Sequence, residues 1–389
     1  MSDLRAAAAE TDSTYMRRAL ALAARGWGQT APNPMVGAVV VAASSDAPNG
    51  VVVGEGFHAR YGGQHAEPVA LVAAGERARG ATLYVTLEPC AHHGRTPPCA
   101  DAIVDAGIAR VVAAVSDPSA VARGGGEKLR AAGIRVDFGP ERDAALELNA
   151  PFFNAQASDL PWVTVKFALS EDGGVADPTG ARRWISNAQS RAAGHRLRAN
   201  ADAIAVGIGT VLADDPALTV RDAPAPRLPP RRVVFDSALR TPPTSTLVRT
   251  AREVPTTIFV GEEGARAPRR AAIEHAGVEV IVAPAPSTGI PGATDLHAAL
   301  RMLRDRGVRS LLVEAGPRLA GALFAASLVQ RVVIFRAPFG LGDSAPGAFA
   351  FAPPGFAERL HHAPIVERQQ LGDDVMTAYA LEDVPCSPD

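Results

Sequence analysis

Cysteine, lysine and aromatic side chains are all scarce in this chain of 389 residues. The three cysteines are Cys90, Cys99 and Cys386. An odd, small number excludes the disulfide framework of a small secreted protein. Cys386 lies in a polar, proline-containing tail and reads as incidental. Lysine occurs only at Lys128 and Lys166, so arginine carries nearly all the positive charge. The formal net charge is −2, which leaves no basic footprint for a nucleic acid. No run approaches the roughly 18 apolar residues of a membrane helix. Met1–Thr14 is Ala-rich and acidic and lacks the apolar core of a signal peptide. A dinucleotide fingerprint of three spaced glycines is missing, as is any repeat of about 20–50 residues. These absences predict a cytoplasmic chain whose partners are neither nucleic acid nor membrane.

What is present is an alternation of helices and strands. The length predicts two domains. Apolar residues on one face predict a first helix over Thr14–Arg25, and β-rich runs at Val36–Ala42 and Val51–Val53 predict a hairpin. A helix over His65–Ala78, a strand over Thr82–Thr86, a helix over Pro97–Ala106 and a strand over Ala109–Ser116 follow. Then come a helix at Glu127–Ala132, a strand at Ile134–Phe138 and a helix at Pro140–Gln156. Ala155–Pro161 reads as a linker, dividing residues 1–154 from 155–389. Strands then recur at Trp162–Leu169, Ala203–Val206, Arg232–Phe235, Thr256–Val260, Val278–Val282, Ser310–Glu314 and Val332–Arg336. Helices are expected at Asn187–Ala199, Asp295–Arg306 and Arg318–Ala326. The rhythm is that of an α/β fold in both halves.

One stretch carries chemistry. His65-Ala66-Glu67 is followed by Glu88-Pro89-Cys90 and, after Ala91-His92-His93-Gly94-Arg95-Thr96-Pro97-Pro98, by Cys99. One His and two Cys can supply three ligands of a catalytic zinc and leave the fourth position for water. Bound zinc lowers the pKa of such a water to roughly 7. Glu67, two residues from His65, can take that proton and deliver it to a leaving ammonia. The pattern is that of zinc deaminases, in which a conserved Glu is not itself a ligand. A closed structural zinc is the rival reading; His92 or His93 would complete it and Glu67 would have no task. Glu88 is expected to shape the loop before Cys90 rather than to move protons. Eight residues separate the cysteines, where the deaminase pattern has two.

With these residues the first half resembles the deaminase half of the bifunctional riboflavin-biosynthesis deaminase/reductases. Asn33-Pro34-Met35-Val36-Gly37, Gly54-Glu55-Gly56-Phe57-His58 and the long loop between the cysteines carry the likeness. It implies a three-layer fold like that of cytidine deaminases, zinc on His65, Cys90 and Cys99, Glu67 as proton shuttle, and substrate contacts from Asn33 and Arg95. Asp117-Pro118-Ser119 departs from the Asp-Pro-Asn of that family, and the Val121–Gly126 stretch is one residue short.

The second half is similar to the reductase half of the same enzymes. The likeness lies in Lys166-Phe167-Ala168-Leu169-Ser170-Glu171-Asp172-Gly173, Trp184-Ile185-Ser186, Val211–Arg221 and Val313-Glu314-Ala315-Gly316-Pro317. It implies a fold like dihydrofolate reductase and NADPH as cofactor. NADPH would lie along Ala168, Trp184, Thr210, Asp214, Ser237 and the segment Gly316, Pro317, Arg318, Leu319, Ala320, Gly321 and Ala322. A phosphorylated pyrimidine substrate would meet Lys166, Arg182, Arg198, Leu218, Arg221 and Glu314. Arg182 stands where the family has a small hydroxyl residue. Without the resemblance, the Glu314–Gly321 stretch reads equally as a phosphate-holding turn or a bare helix start, and Lys166 as an exposed strand lysine. The resemblance further implies zinc-dependent deamination of a diaminopyrimidinone ribosyl-phosphate, NADPH-dependent reduction of its ribosyl chain, and a homodimer.

Overall fold

A computed structural model describes residues 2–94, 97–286, 294–314 and 316–385. The chain divides into two compact units, one formed by Met1–Ala157 with the segment starting at Val384, the other by Ser158–Asp383. Among the described residues no helix is long and apolar enough to cross a membrane.

The first unit is built on a five-stranded sheet. Its strands are β1 (Gly37–Ser44), β2 (Ala47–Phe57), β3 (Thr82–Val85), β4 (Arg110–Ala113) and β5 (Arg135–Phe138), in the order β2-β1-β3-β4-β5. β1 is antiparallel to β2 and β3, while β3, β4 and β5 run parallel. Side chains alternate across a strand, and the alternation sorts them into two cores. Ala38, Val40, Leu83, Val85 and Val111 pack with Ala70, Ile103 and Leu129 on one face. Val39, Val41, Tyr84 and Val112 pack with Met16, Leu146 and Phe153 on the other. The sheet is therefore sandwiched between helices, giving three layers.

Glycine sets how closely those layers approach. A Cβ added at Gly37 would lie 2.0 Å from the Ala19 carbonyl oxygen; at Gly54 and Gly56 it would lie 2.2 and 2.3 Å from the carbonyl oxygens of Ala70 and Ala66. The helix Ala66–Ala74, which carries Glu67, thus rests directly on β2.

Two helices differ from expectation. The first reaches back to Ser2, because the alanine run before Glu10 has the highest helix propensity of any residue type. The helix expected over Pro140–Gln156 is broken at Asn149 into Arg142–Leu148 and Ala150–Ala157. The Asn149 amide is occupied elsewhere. Its Oδ1 accepts from the Met35 N–H and its Nδ2 donates to the Met35 carbonyl, both at 2.8 Å. Those bonds pin the chain next to Asn33 and Pro34. The second of these helices ends at Ala157, inside the expected linker.

The second unit holds a nine-stranded sheet. Its strands are β6 (Trp162–Leu169), β7 (Ala203–Gly207), β8 (Arg231–Phe235), β9 (Thr256–Val260), β10 (Glu279–Val282), β11 (Ser310–Val313), β12 (Arg331–Arg336), β13 (Ile365–Leu371) and β14 (Asp374–Ala380). Their order is β10-β9-β8-β7-β11-β6-β12-β14-β13. β6 to β12 are parallel, and the β13–β14 hairpin adds an antiparallel edge. Sequence patterning missed that hairpin. β13 is exposed along its first six residues, so no buried face imposes an alternation to read. From β7 the chain moves outward to β10, and β11 then returns to the gap between β7 and β6. In open α/β sheets such reversals open a crevice beyond the carboxyl ends of the strands.

Candidate active sites

In the first unit the metal-binding side chains come from two helix starts and one loop. His65 immediately precedes the helix Ala66–Ala74, and Cys99 opens the helix Cys99–Asp105 after Pro98. Cys90 lies in the loop after β3. Their ligand atoms all fall within 4.8 Å of one another. The His65 Nδ1 is 3.2 Å from the Cys99 sulfur and 3.7 Å from that of Cys90. Tetrahedral zinc with ordinary bond lengths separates such atoms by about 3.6 Å. The Cys99 N–H also donates to the Cys90 sulfur at 3.4 Å. That bond, the Cys99 thiol and His65 stabilise negative charge on Cys90, as a metal-binding thiolate requires. The residues fit the ion.

Glu67 is 3% exposed, in the first turn of the same helix as His65. Burial lifts its carboxyl to about 7, so it can both hold and release a proton near neutrality. It borders a pocket of about 350 Å³ that is also lined by Asn33, His58, His92, Asp117 and Phe152.

Two buried residues organise that pocket. His58 donates from Nδ1 to the Gln64 carbonyl at 2.9 Å, and its Nε2 lies 3.4 Å from the Asn33 Nδ2. A carbonyl can only accept, so the ring hydrogen sits on Nδ1 and Nε2 accepts from Asn33. The Asn33 amide is thereby turned to leave Oδ1 for a ligand. Glu88 shapes a loop, as its sequence context suggests, but the loop is Asp117–Gly126. Its carboxylate accepts from the N–H groups of Asp117, Gly124 and Gly126 at 3.1, 3.3 and 2.8 Å. Asp117 closes one wall, its carboxyl pushed up to about 6 by burial. Neither His58 nor Asn149 had a role from sequence, although His58 ends the Gly54–His58 motif. Arg95 lies outside the described residues.

In the second unit the expected residues gather at the carboxyl ends of β6, β7 and β11. Arg198 and Glu314 form a bidentate pair, with Nε and Nη2 at 2.5 and 2.8 Å from the two carboxylate oxygens. Both side chains are only 14–15% exposed. Burial pushes the Glu314 carboxyl up, but Lys166 and Arg198 outweigh it and hold the group at about 2. The Lys166 ammonium sits 5.6 Å from the centre of the Phe335 ring. Leu218 is buried as a whole residue, 3% exposed, in the core beside Val206 and Val211. Arg221 is exposed. Arg182 lies over the Phe339 ring at 4.1 Å, its backbone N–H on the Asp177 carboxylate.

Along the expected cofactor path, Thr210 and Asp214 lie on the helix Ile208–Asp214, which leaves the end of β7. Trp184 is 55% exposed and flanked by Arg183 and Arg191. Ser237 meets Thr294 at 2.9 Å. Gly316 caps the helix Pro317–Ala325, and a Cβ there would meet nothing within 4 Å. Pro317 has no N–H, so this helix start offers the N–H groups of Arg318 and Leu319, a setting suited to phosphate. Arg318 lies over the Phe351 ring at 4.9 Å. Ala320 is fully buried, and Gly321 packs against the Phe351 carbonyl. Exposed indole, open helix start and crevice together fit an extended dinucleotide.

Comparisons with known proteins agree in both units. The family model of the RibD C-terminal domain matches residues 161–376. That of the cytidine and deoxycytidylate deaminase zinc-binding region matches residues 9–115. The chain is 41% identical to the riboflavin biosynthesis protein RibD of Escherichia coli over 379 residues, covering 94% of this chain and 98% of that one. It is 42% identical to the Aquifex aeolicus protein of the same name, covering 86% and 89%. Among solved structures, Acinetobacter baumannii RibD superposes with a TM-score of 0.76 at 34% identity, covering 96% of this chain and 99% of that one. A Thermotoga maritima diaminohydroxyphosphoribosylaminopyrimidine deaminase/5-amino-6-(5-phosphoribosylamino)uracil reductase does so with 0.76 at 30% identity, with the same coverage.

Proposed function

The chain belongs to the RibD family of bifunctional riboflavin-biosynthesis deaminase/reductases, and from that premise we propose which of its residues perform each reaction. The substrate is a small phosphorylated pyrimidine, and the cofactors are zinc and NADPH. The convergence of His65, Cys90 and Cys99 beside the buried Glu67 carries the assignment.

In the first unit zinc, held by those three residues, supplies an activated water. Glu67 takes a proton on its carboxylate and returns it to the departing amine nitrogen. Asn33, turned by His58, accepts from the substrate amide edge, and Arg95 pairs with its phosphate. In the second unit NADPH supplies the hydride. The N–H groups of Arg318 and Leu319, at the helix start after Gly316 and Pro317, hold its phosphates, Trp184 covers a planar ring, and Thr210, Asp214, Ser237 and Ala168 line its path. Arg198 and Arg221 orient the ribosyl-phosphate, with Leu218 beside them. Glu314 fixes Arg198, and Lys166 meets the open sugar chain. Arg182 adds a cation at the rim. The two functional domains divide after the helix Ala150–Ala157, three residues beyond the boundary read from sequence.

Near-zero net charge, and no helix among the described residues long and apolar enough to cross a membrane, support the proposal of a cytoplasmic enzyme that works without nucleic acid; a homodimer completes it. The test is one sample assayed for zinc content, ammonia release and NADPH oxidation. Glu67→Gln should retain zinc and NADPH oxidation on pre-deaminated substrate while ammonia release collapses. Retained ammonia release would overturn the role of Glu67. Loss of NADPH oxidation in Lys166→Ala checks the second site.

A further inference from the structure

The reductase unit contains a histidine that no reading of the reaction uses. His195 lies on the helix Ala188–Asn200, one turn before Arg198, and is 9% exposed. Its Nδ1 accepts from the backbone N–H of Arg221 at 3.1 Å. Arg198 Nη1 donates to the Thr219 carbonyl at 2.9 Å. Two side chains of one helix therefore hold alternate residues of a single segment, one accepting and one donating, much as a neighbouring strand would. That segment needs holding. Leu218 and Asp222, at its two ends, adopt φ of 47° and 52°, a region costly for residues other than glycine.

The surroundings determine the state of the ring. Burial, Arg198 on its own helix and Arg221 on the segment hold the imidazole below its ordinary range, opposed by Glu314 beyond β11 and Asp222. Lys166 on β6 is a further cation near Glu314, its Cε 3.9 Å from a Cβ built at Gly194 beside His195. A neutral ring has one acceptor nitrogen. Since that nitrogen takes the Arg221 N–H, the hydrogen lies on Nε2. A second proton would sit on Nδ1 and point at an N–H group.

We propose that His195 is a positioning residue of the reductase site, which keeps the Leu218–Arg221 segment in its substrate-binding form only while the ring is neutral. The inference rests on the reading of that segment as part of the substrate site. It follows that acidification raises the KM for the phosphorylated reductase substrate more than it lowers kcat.

The experiment measures KM and kcat of the full chain from pH 5 to 8, with saturating NADPH and 5-amino-6-(5-phosphoribosylamino)uracil. His195→Gln retains an acceptor that does not titrate. His195→Leu has none, and Arg221→Ala tests the segment itself. The substrate phosphate titrates identically for every variant, so differences between variants isolate the ring. The wild type should lose affinity at acid pH relative to His195→Gln, whose KM at pH 7.5 stays close to the wild-type value. His195→Leu should raise KM by about tenfold across the range, the size of one lost hydrogen bond. An acid rise in KM shared equally by His195→Gln overturns the proposal. So does a wild-type KM that falls on acidification, as a simple gain of positive charge beside a phosphate would give. An unchanged KM in Arg221→Ala overturns instead the reading of the segment as substrate-binding.

Discussion

The two units solve the problem of assembling a site in opposite ways. In the first, four chemistry-bearing side chains converge on one spot. They come from two helix starts and one loop; tight glycine packing seats the first helix, and a buried carboxylate ties the loop to the next. In the second, the residues are spread from Lys166 to Glu314 and meet only at the strand ends. There the charges are parked on each other, as in the Arg198–Glu314 pair, and the indole of Trp184 stays exposed. A site for a small, highly charged ion must be rigid, because its ligand distances tolerate only tenths of an ångström. A site for a long cofactor and a flexible sugar phosphate needs reach and fewer fixed distances.

This contrast can be broken or sharpened by mutation. The largest effect is expected at the compact site. Glu67→Gln should lower ammonia release by about 10²–10⁴-fold, the usual contribution of a positioned acid–base group. NADPH oxidation should be unaffected, and a parallel loss of both would deny that the sites are separately built. Next comes the parked pair. Arg198→Met leaves Glu314 buried without its partner and should cost about 3–5 kcal/mol in denaturant unfolding of the second unit. Adding Glu314→Leu should recover much of that loss; if it does not, the pair is not the source.

The same pair has an acid signature. With Glu314 at about 2 against an ordinary 4.5, its contribution is fully present above pH 4.5 and disappears as pH falls towards 2. A shift of that size corresponds to about 3 kcal/mol. The difference in unfolding free energy between wild type and Glu314→Gln should shrink over that window and stay constant above it. The smallest effect is expected at Glu88. Glu88→Ala orphans the N–H groups of Asp117, Gly124 and Gly126 and should cost about 1–3 kcal/mol. Ammonia release should fall while the bound zinc remains, and zinc loss would show that Glu88 also supports Cys90.

The contrast also decides what could be read from sequence. His65, Glu67, Cys90 and Cys99 were legible because metal chemistry restricts residue type as well as spacing. The strands β1 to β12 were legible because they contain short apolar runs bounded by turns or helices. The hairpin of β13 and β14 was not, since exposed Ile365–Gln370 carries no buried face. Asn149 looked like an ordinary helix residue because its hydrogen-bond partner, Met35, lies 114 positions away. His58 and His195 escaped for a related reason. Each acts through one backbone or amide group brought near by the fold, and no local pattern records such a meeting. The reductase contacts came from resemblance alone, and the structure buries one of them, Leu218, almost completely.

Gly37, Gly54 and Gly56 have a consequence for how this chain can drift. Alanine is the smallest step away from glycine, and the sequence is full of alanine. At these three positions a single added methyl group would collide with the backbone of a helix. Elsewhere a lost side chain leaves a void that neighbours partly fill; here there is no slack in which to put one. Two of the three lie against the helix that presents Glu67. Substitutions that seem mildest on paper should therefore be purged there, far from any reacting atom.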